Sequence, residues 1–333
     1  MEFKEYSSIE NSYREKLIEV IIEEGFGNLE YIVQEKVHGS NLSLWTDGKN
    51  IKSAKRGQFL LNEDDFYNHQ LIMETYSKNI FKAFELINEL KEGVKFISIF
   101  GEIFGGSYPH PDIKKSNKAS KVQKKIYYSP ENDFYAFDIL VNGDYYLDMD
   151  IVNNIFEKCN FFYAKILFRG NLKDALIYPN NFESKIPEWL NLPKIENNLC
   201  EGVVIKPIEH KILGNNTRLI LKNKNKKWEE KTETVNKVKE KSDLSPKVEG
   251  ICLKIENYIT KNRLDNVTSK IGEVTMKDFV KILELYSTDV MKDFNKDNES
   301  ELETLNKKEM EVITKVLNDK SVKLIRSNLM KNK

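Results

Sequence analysis

Up to about residue 225 the apolar residues come in short runs, and each run carries an ionisable side chain at or near one end. Residues 31–34 lead into Glu35 and Lys36, residues 51–54 into Lys55 and Arg56, and residues 96–101 into Glu102; residues 134–140 enclose Asp138, residues 202–205 lie between Glu201 and Lys206, and residues 219–221 lead into Lys222 and Lys224. Runs of this length and period are strands, and strands that carry charge to their ends line a cleft, as an antiparallel sheet allows. Beyond Pro246 the period changes. Ile251, Ile255 and Ile259, then Phe279, Ile282 and Leu283, recur at helical spacing, and residues 309–324 repeat the habit. The expected fold class is therefore α+β: an antiparallel-sheet domain over residues 1–232, a linker over 233–246 where Lys, Glu, Thr and Ser replace apolar periodicity, and a small all-helical C-terminal domain over 247–333.

Within the first domain, residues 7–10 read as a capping box for a helix that carries Leu17, Val20 and Ile21 and stops at Gly25. Gly25 and Gly27 do not make a dinucleotide loop, because they follow a helix and no third glycine completes the pattern. Asp47-Gly48 marks a hairpin between residues 42–45 and 51–54, and a helix is expected over about 71–90.

Lys36 stands at a strand-to-turn corner, with Gly39 three residues on to let the backbone approach a phosphate. The Lys-x-x-Gly pattern is not specific, since Lys211 with Gly214 and Lys247 with Gly250 repeat it, so its company has to single it out. That company is two carboxylates next to glycines (Glu102 and Glu201), Asp138 on an aromatic strand, and the late pair Lys222 and Lys224, which alternation places on one strand face. The set suits nucleotidyl transfer: an amine must be neutral to attack phosphorus, neighbouring cations favour the neutral form, and the same cations stabilise charge on phosphate oxygens. His38 and His110 read as hydrogen-bonded turn residues.

With no net charge, nothing global demands a polyanion, so such a partner rests on local patches. Lys114, Lys115, Lys118, Lys121, Lys124 and Lys125 lie in a stretch without acids, and Lys206, Lys211, Arg218, Lys222, Lys224, Lys226 and Lys227 cluster later against Glu209 alone. Both suit contact with a phosphate backbone. Cys159, Cys200 and Cys252 are too scattered for a disulfide framework or a Cys-based zinc site, and a reducing compartment fits them. No apolar run approaches a bilayer span and the start has neither signal nor transit character, so a soluble, cytoplasmic protein without a membrane partner is expected; a monomer is expected as well.

In order along the chain, residues 35–41, 100–102, 134–138, 201–206 and 221–224 resemble the motifs of the ATP-dependent covalent nucleotidyltransferases, and among them the nick-sealing RNA ligases of the bacteriophage and kinetoplastid RNA-editing type. The resemblance covers nearly the whole chain. Residues 105–111 and 127–130 look closer to the editing ligases, whereas residues 262–273 look like the phage enzymes' helical domain. The resemblance implies an adenylyltransferase domain in which Lys36 forms a lysyl-AMP, Glu35 lies beside the adenine, and Phe137 and Val204 stack on the ring. It further implies that Arg56 reaches a phosphate or ribose, Glu102 holds the ribose, Lys222 and Lys224 contact the α-phosphate, and Asn41 lies next to the reactive phosphate during joining. Glu201 is expected to act through a water on a bound metal. Lys55, Arg56, Arg263 and Lys270 are expected to bind RNA.

The activity so implied is ATP-dependent sealing of 3′-hydroxyl/5′-phosphate breaks in RNA, preferably nicks in duplex, with ATP and Mg2+ as cofactors and Mn2+ able to substitute. A DNA ligase or a capping guanylyltransferase on the same core is the enzymatic rival. Those append a β-rich module after the last lysine motif, where this chain appends helices. A catalytically inactive RNA-binding scaffold is the other rival, against which the intact Lys36, Glu102, Glu201, Lys222 and Lys224 stand.

Overall fold

The computed structural model describes residues 1–229, 231, 245–298 and 301–330. It divides into two compact units, Met1–Lys227 and Trp228–Lys333. Most of the stretch expected as a linker lies outside the described residues. At its end the Ser245 side chain accepts from the N–H of Val248, capping a helix that Pro246 opens.

The first unit begins with β1 (Glu10–Asn11), α1 (Glu15–Glu23), β2 (Tyr31–Glu35), β3 (Ser40–Thr46), β4 (Ile51–Lys55), β5 (Gln58–Phe59) and α2 (His69–Leu90). It continues with β6 (Ile97–Gly105), β7 (Asn132–Val141), β8 (Tyr145–Tyr146), α3 (Met149–Lys158), β9 (Ile166–Gly170), α4 (Leu172–Leu176), α5 (Ile186–Trp189), β10 (Gly202–Pro207) and β11 (Leu221–Lys224). The strands form two sheets, ordered β1-β11-β10-β2-β9 and β5-β4-β3-β6-β7-β8. Pairing is antiparallel except where β1 runs parallel to β11. The β3–β4 hairpin turns at Gly48 with φ +83°, and the Asp47 carboxylate accepts from the N–H groups of Lys49 and Asn50.

One expected start is wrong. Residues 7–10 do not cap a helix: Glu10 pairs with Leu221 in the sheet and binds Arg14 at 3.0 Å, and α1 begins only at Glu15. Its end at Gly25, in the left-handed region, is as expected.

Each sheet buries its outer face under helices. Ile72, Ile80, Ala83 and Ile87 of α2 recur at helical spacing and pack, with Val152, Ile155 and Phe156 of α3, on Leu42, Leu44, Ile99 and Ile139. Tyr31, Val33, Val203 and Ile205 pack with Ile21 of α1 and Leu172 of α4. Each fully buried large aliphatic side chain here is worth roughly 1.5–3 kcal/mol. Between the sheets a smaller cluster joins Tyr6, Trp45, Phe100, Leu140 and Ile220 to the half-buried Phe137 and Val204.

The second unit is α6 (Pro246–Glu256), α7 (Lys261–Ser269), α8 (Phe279–Asp297) and α9 (Lys307–Met330), around a core that includes Ile255, Leu264, Ile282, Tyr286, Ile313 and Ile325. Here the expectation for Arg263 fails. Its side chain is 1% exposed: Nε donates to the carbonyl of Tyr258 at 3.1 Å, and the guanidinium pairs with the carboxylates of Asp289 and, at 2.9 Å, Asp293. It ties α7 to α8 from inside the core, and no face of it is left for RNA. Lys270 stays partly exposed, 3.8 Å from Asp289. Among the described residues no helix is long and apolar enough to cross a membrane.

Candidate active site

Three strands bring Lys36 to its partners. The N–H of Lys36, just past β2, donates to the carbonyl of Gly202 on β10, and Gly202 lies opposite Lys224 on β11. Across this row Gly202 contributes no side chain, and the neighbouring Glu201 carboxylate bridges the gap. One oxygen is 2.8 Å from Lys36 Nζ and the other 3.0 Å from Lys224 Nζ, with His38 Nδ1 at 3.4 Å from the first. Gly202 has φ +142°, and a Cβ there would fall 2.2 Å from the carbonyl oxygen of Asn223, so only glycine lets β10 and β11 close at this point. Burial alone would raise the Glu201 pKa, but Lys36 and Lys224, with His38 beside them, hold it well below the usual carboxylate range. His38 thus does more than turn the chain, and its N–H also donates to the hydroxyl of the buried Tyr128.

A second row lies two residues along. Gln34, Val204 and Lys222 are direct neighbours across β2, β10 and β11, and alternation puts their side chains on one face. Phe137 reaches the same inter-sheet cluster as Val204 because of a bulge. The β6–β7 register shifts so that Gly101 opposes Ala136 and Phe100 opposes Asp138, leaving Phe137 as the extra residue. The phase of the strand changes there: Phe134 and Ala136 point to the helix-covered core, and so do Ile139 and Val141. On the six-stranded sheet Asn41 lies directly opposite Glu102. Gly39 makes room for this pair, since a Cβ on it would meet the Ile103 carbonyl oxygen at 2.2 Å and Cγ of Glu102 at 2.9 Å.

Other expected site residues stand elsewhere. The Glu35 side chain leaves the side of Lys36: one oxygen accepts from the Ser184 hydroxyl at 2.6 Å and the other from the N–H of Lys185 at 2.8 Å. Lys55 shares the face of Leu42 and lies over the Phe66 ring at 5.9 Å, on the core side of the sheet. Arg56 is held by Glu5 at 2.9 Å. Lys206 and Arg218 do not belong to the basic patch, because both are buried against Asp138, at 3.4 and 2.8 Å, with the Tyr6 hydroxyl donating to the same carboxylate. Burial pushes Lys206 down to about 8 against the pull of Asp138. The sequence alone does not show this network, for which Asp138, a carboxylate within an aromatic run, is the signal.

Burial also pushes Glu35 up to about 7, opposed by its two hydrogen bonds. An unfolded glutamate titrates at about 4.3. Between these values the folded chain holds more protons than the unfolded one, so this group's contribution to stability is present below the unfolded pKa and is lost as pH rises through about 7. The loss is on the order of 3 kcal/mol. Glu35→Gln is expected to remove that slope. Urea midpoints for both proteins at about pH 5 and about pH 8 check it, and identical pH dependence in the two would rule it out.

Among the described residues no group of three or more His, Cys, Asp or Glu could hold a metal ion. Each Glu201 oxygen accepts from an ammonium group, so a metal-bound water would share that carboxylate with Lys36 and Lys224. The geometry sets Lys36 against a carboxylate, Lys222 and Lys224 on one strand face, and Phe137 and Val204 in one inter-sheet cluster, an arrangement able to present an amine and cations to a phosphate.

Residues 29–224 match the family model for RNA ligase, and residues 221–323 match that for the T4 RNA ligase 2 C-terminal domain. RNA-editing ligase 2, mitochondrial, of Trypanosoma brucei brucei is 29% identical over 353 residues, covering 89% of this chain and 84% of that protein. RNA-editing ligase 1, mitochondrial, of the same organism is 27% identical over 352 residues, covering 86% and 74%. Among solved structures, a Naegleria gruberi RNA ligase mutant with AMP and Mn aligns with a TM-score of 0.47 at 17% identity, and the Naegleria gruberi RNA ligase with PPi with 0.45 at 18%. Each alignment covers 68% of this chain, and the chain spans 58% and 57% of those structures' lengths.

Proposed function

Because this chain belongs to the RNA ligase family, we propose that it is an ATP-dependent ligase that seals 3′-hydroxyl/5′-phosphate breaks in RNA, preferably nicks in duplex. The observation that carries this reading is the contact of Lys36 and Lys224 with the two oxygens of one buried carboxylate, beside a lysine-lined strand face. Lys36 Nζ, once it has lost a proton, attacks the α-phosphorus of ATP; a P–N bond forms and the bond to pyrophosphate breaks. An oxygen of the RNA 5′-phosphate then displaces the lysine, giving an RNA-adenylate. The 3′-hydroxyl attacks that 5′-phosphorus and AMP leaves. Lys222 and Lys224 stabilise charge on the phosphate oxygens, Glu201 positions Lys36 and Lys224, and Phe137 and Val204 flank the base. Asn41 and Glu102, paired across β3 and β6, serve the reacting phosphate and the ribose. Arg56 serves a phosphate on leaving Glu5. Magnesium, which neutralises triphosphate charge, accompanies the nucleotide, and no step here is assigned to a protein-held ion.

The RNA surface of the first unit is the loop between β6 and β7. Lys114, Lys115, Lys118, Lys121, Lys124 and Lys125 are all exposed. Asn132 pins the loop by accepting from and donating to the backbone of Ser120, and its far end reaches the site through the contact of Tyr128 with His38. The helical unit supplies further backbone contact, to which Lys270 belongs, so that nucleotidyl chemistry and duplex holding are divided between the units. The protein acts as a monomer in the cytoplasm, a setting that its buried free cysteines fit, although the trypanosome relatives are mitochondrial by name. A DNA ligase or capping enzyme is disfavoured by the helices that follow β11.

Sealing of matched nicks tests the reading. A nick with ribose on its 3′-hydroxyl side is expected to be joined far faster than an all-DNA nick, since the 2′-hydroxyl is the group that distinguishes the two sugars. Equal rates would remove the RNA assignment.

A further inference from the structure

We propose that Gln34 selects the base of the nucleotide, its side-chain carbonyl oxygen accepting a hydrogen bond from the exocyclic amino group of adenine. The proposal rests on the ligase reading above and adds to it a specificity-determining residue.

Gln34 stands two residues before Lys36 on β2 and directly opposite Val204, which in turn lies opposite Lys222. Its side chain therefore shares the face that carries Val204, one wall of the ring slot, and the phosphate lysine Lys222. It is 2% exposed, and its Nε2 donates to the carbonyl of Ala164 at 2.5 Å. That bond fixes the amide: turned over, its oxygen would face another carbonyl. Oε1 is left buried with no hydrogen-bond partner among the described residues. An unpaired buried carbonyl oxygen costs about 1–3 kcal/mol, so native structures keep one where a ligand completes it. A fixed acceptor beside the ring slot accepts the 6-amino group of adenine and repels the 6-oxo group of guanine or hypoxanthine. It distinguishes bases by unlike hydrogen-bonding groups, the kind of discrimination that gives large ratios.

The test compares self-labelling of the full chain, wild type and Gln34→Leu, by the triphosphates of adenosine, purine riboside (which lacks the 6-amino group) and inosine. Wild type is expected to use purine riboside triphosphate roughly 10- to 100-fold less well than ATP, and inosine triphosphate worse still. In Gln34→Leu the ratio of the rates with ATP and purine riboside triphosphate is expected to fall towards one. If the leucine variant fails to fold, Gln34→Met, which keeps the side-chain length, is judged by the same ratio. An unchanged ratio in the folded variant overturns the proposal and assigns the amino group to a backbone acceptor; equal use of ATP and purine riboside triphosphate by wild type overturns it by showing that the amino group is not read. Wild-type protein labelled by none of the three refutes the ligase reading itself.

Discussion

Lys36→Ala is expected to lose all detectable transfer of label from α-labelled ATP to the protein, whereas Lys211→Ala and Lys247→Ala label as wild type does. The three lysines share a local pattern but not an environment. Lys36 is held against a buried carboxylate that also holds Lys224, while Lys211 pairs with Glu209 at 2.7 Å and Lys247 donates to the carbonyl of Thr304 in the helical unit. Removing a covalent nucleophile eliminates the step instead of slowing it, because no neighbouring amine occupies its place. Lys36→Arg separates charge from nucleophilicity: the guanidinium can keep a cation on Glu201 but cannot form the P–N bond, and it is expected to be equally unlabelled. Persisting label on either Lys36 variant would place the nucleophile elsewhere.

The second large effect is on stability. Arg263→Ala is expected to destabilise the helical unit by about 2–4 kcal/mol, at the lower side of the range for breaking a buried ion pair because Asp289 and Asp293 are 28% and 24% exposed. The substitution leaves those carboxylates facing each other without their cation, frees the Tyr258 carbonyl, and opens a hole between α7 and α8. Lys270→Ala, by contrast, removes a half-exposed pair and is expected to shift unfolding by less than about 1 kcal/mol. Calorimetry of the full chain, read beside lysyl-AMP formation, checks both. The transition of the helical unit should move in Arg263→Ala while adenylylation by the first unit persists. Unaltered unfolding combined with weakened RNA binding would return Arg263 to the RNA interface.

Strand and helix positions were legible because their periods are local. Residues 31–34, 42–45 and 51–54 are short runs rich in strand-forming residues, and the hairpin signal at Asp47-Gly48 lies between the latter two. That Lys36, Glu201 and Lys224 line one cleft was expected from the ordered motifs, but the grip of the Glu201 carboxylate on both lysines was not, because residues this far apart in sequence share no window. What could not be read was facing and burial. Arg263 looks like any basic residue of an amphipathic helix until Asp289 and Asp293 arrive from α8. Lys206 and Arg218 look like members of a basic patch because Asp138, which neutralises them, comes from another sheet. The turn of Glu35 away from the cleft depends on a loop that returns at Ser184. The phase change at Phe137 leaves no trace in an aromatic-rich run whose one charged residue, Asp138, follows it directly.

That phase change separates two inheritances within one strand. Leave Phe137 out, and Ala136, Asp138, Ile139 and Leu140 follow one another in plain alternation, each still on the side it occupies here. The ring that joins Val204 in the inter-sheet cluster is thus a supernumerary letter in a word that is already spelled correctly, and the sheet keeps its own grammar whether or not that letter is present. A change at Phe137 can then alter the proposed nucleotide site while its strand neighbours keep their sides, so that the chemistry is separable from the architecture.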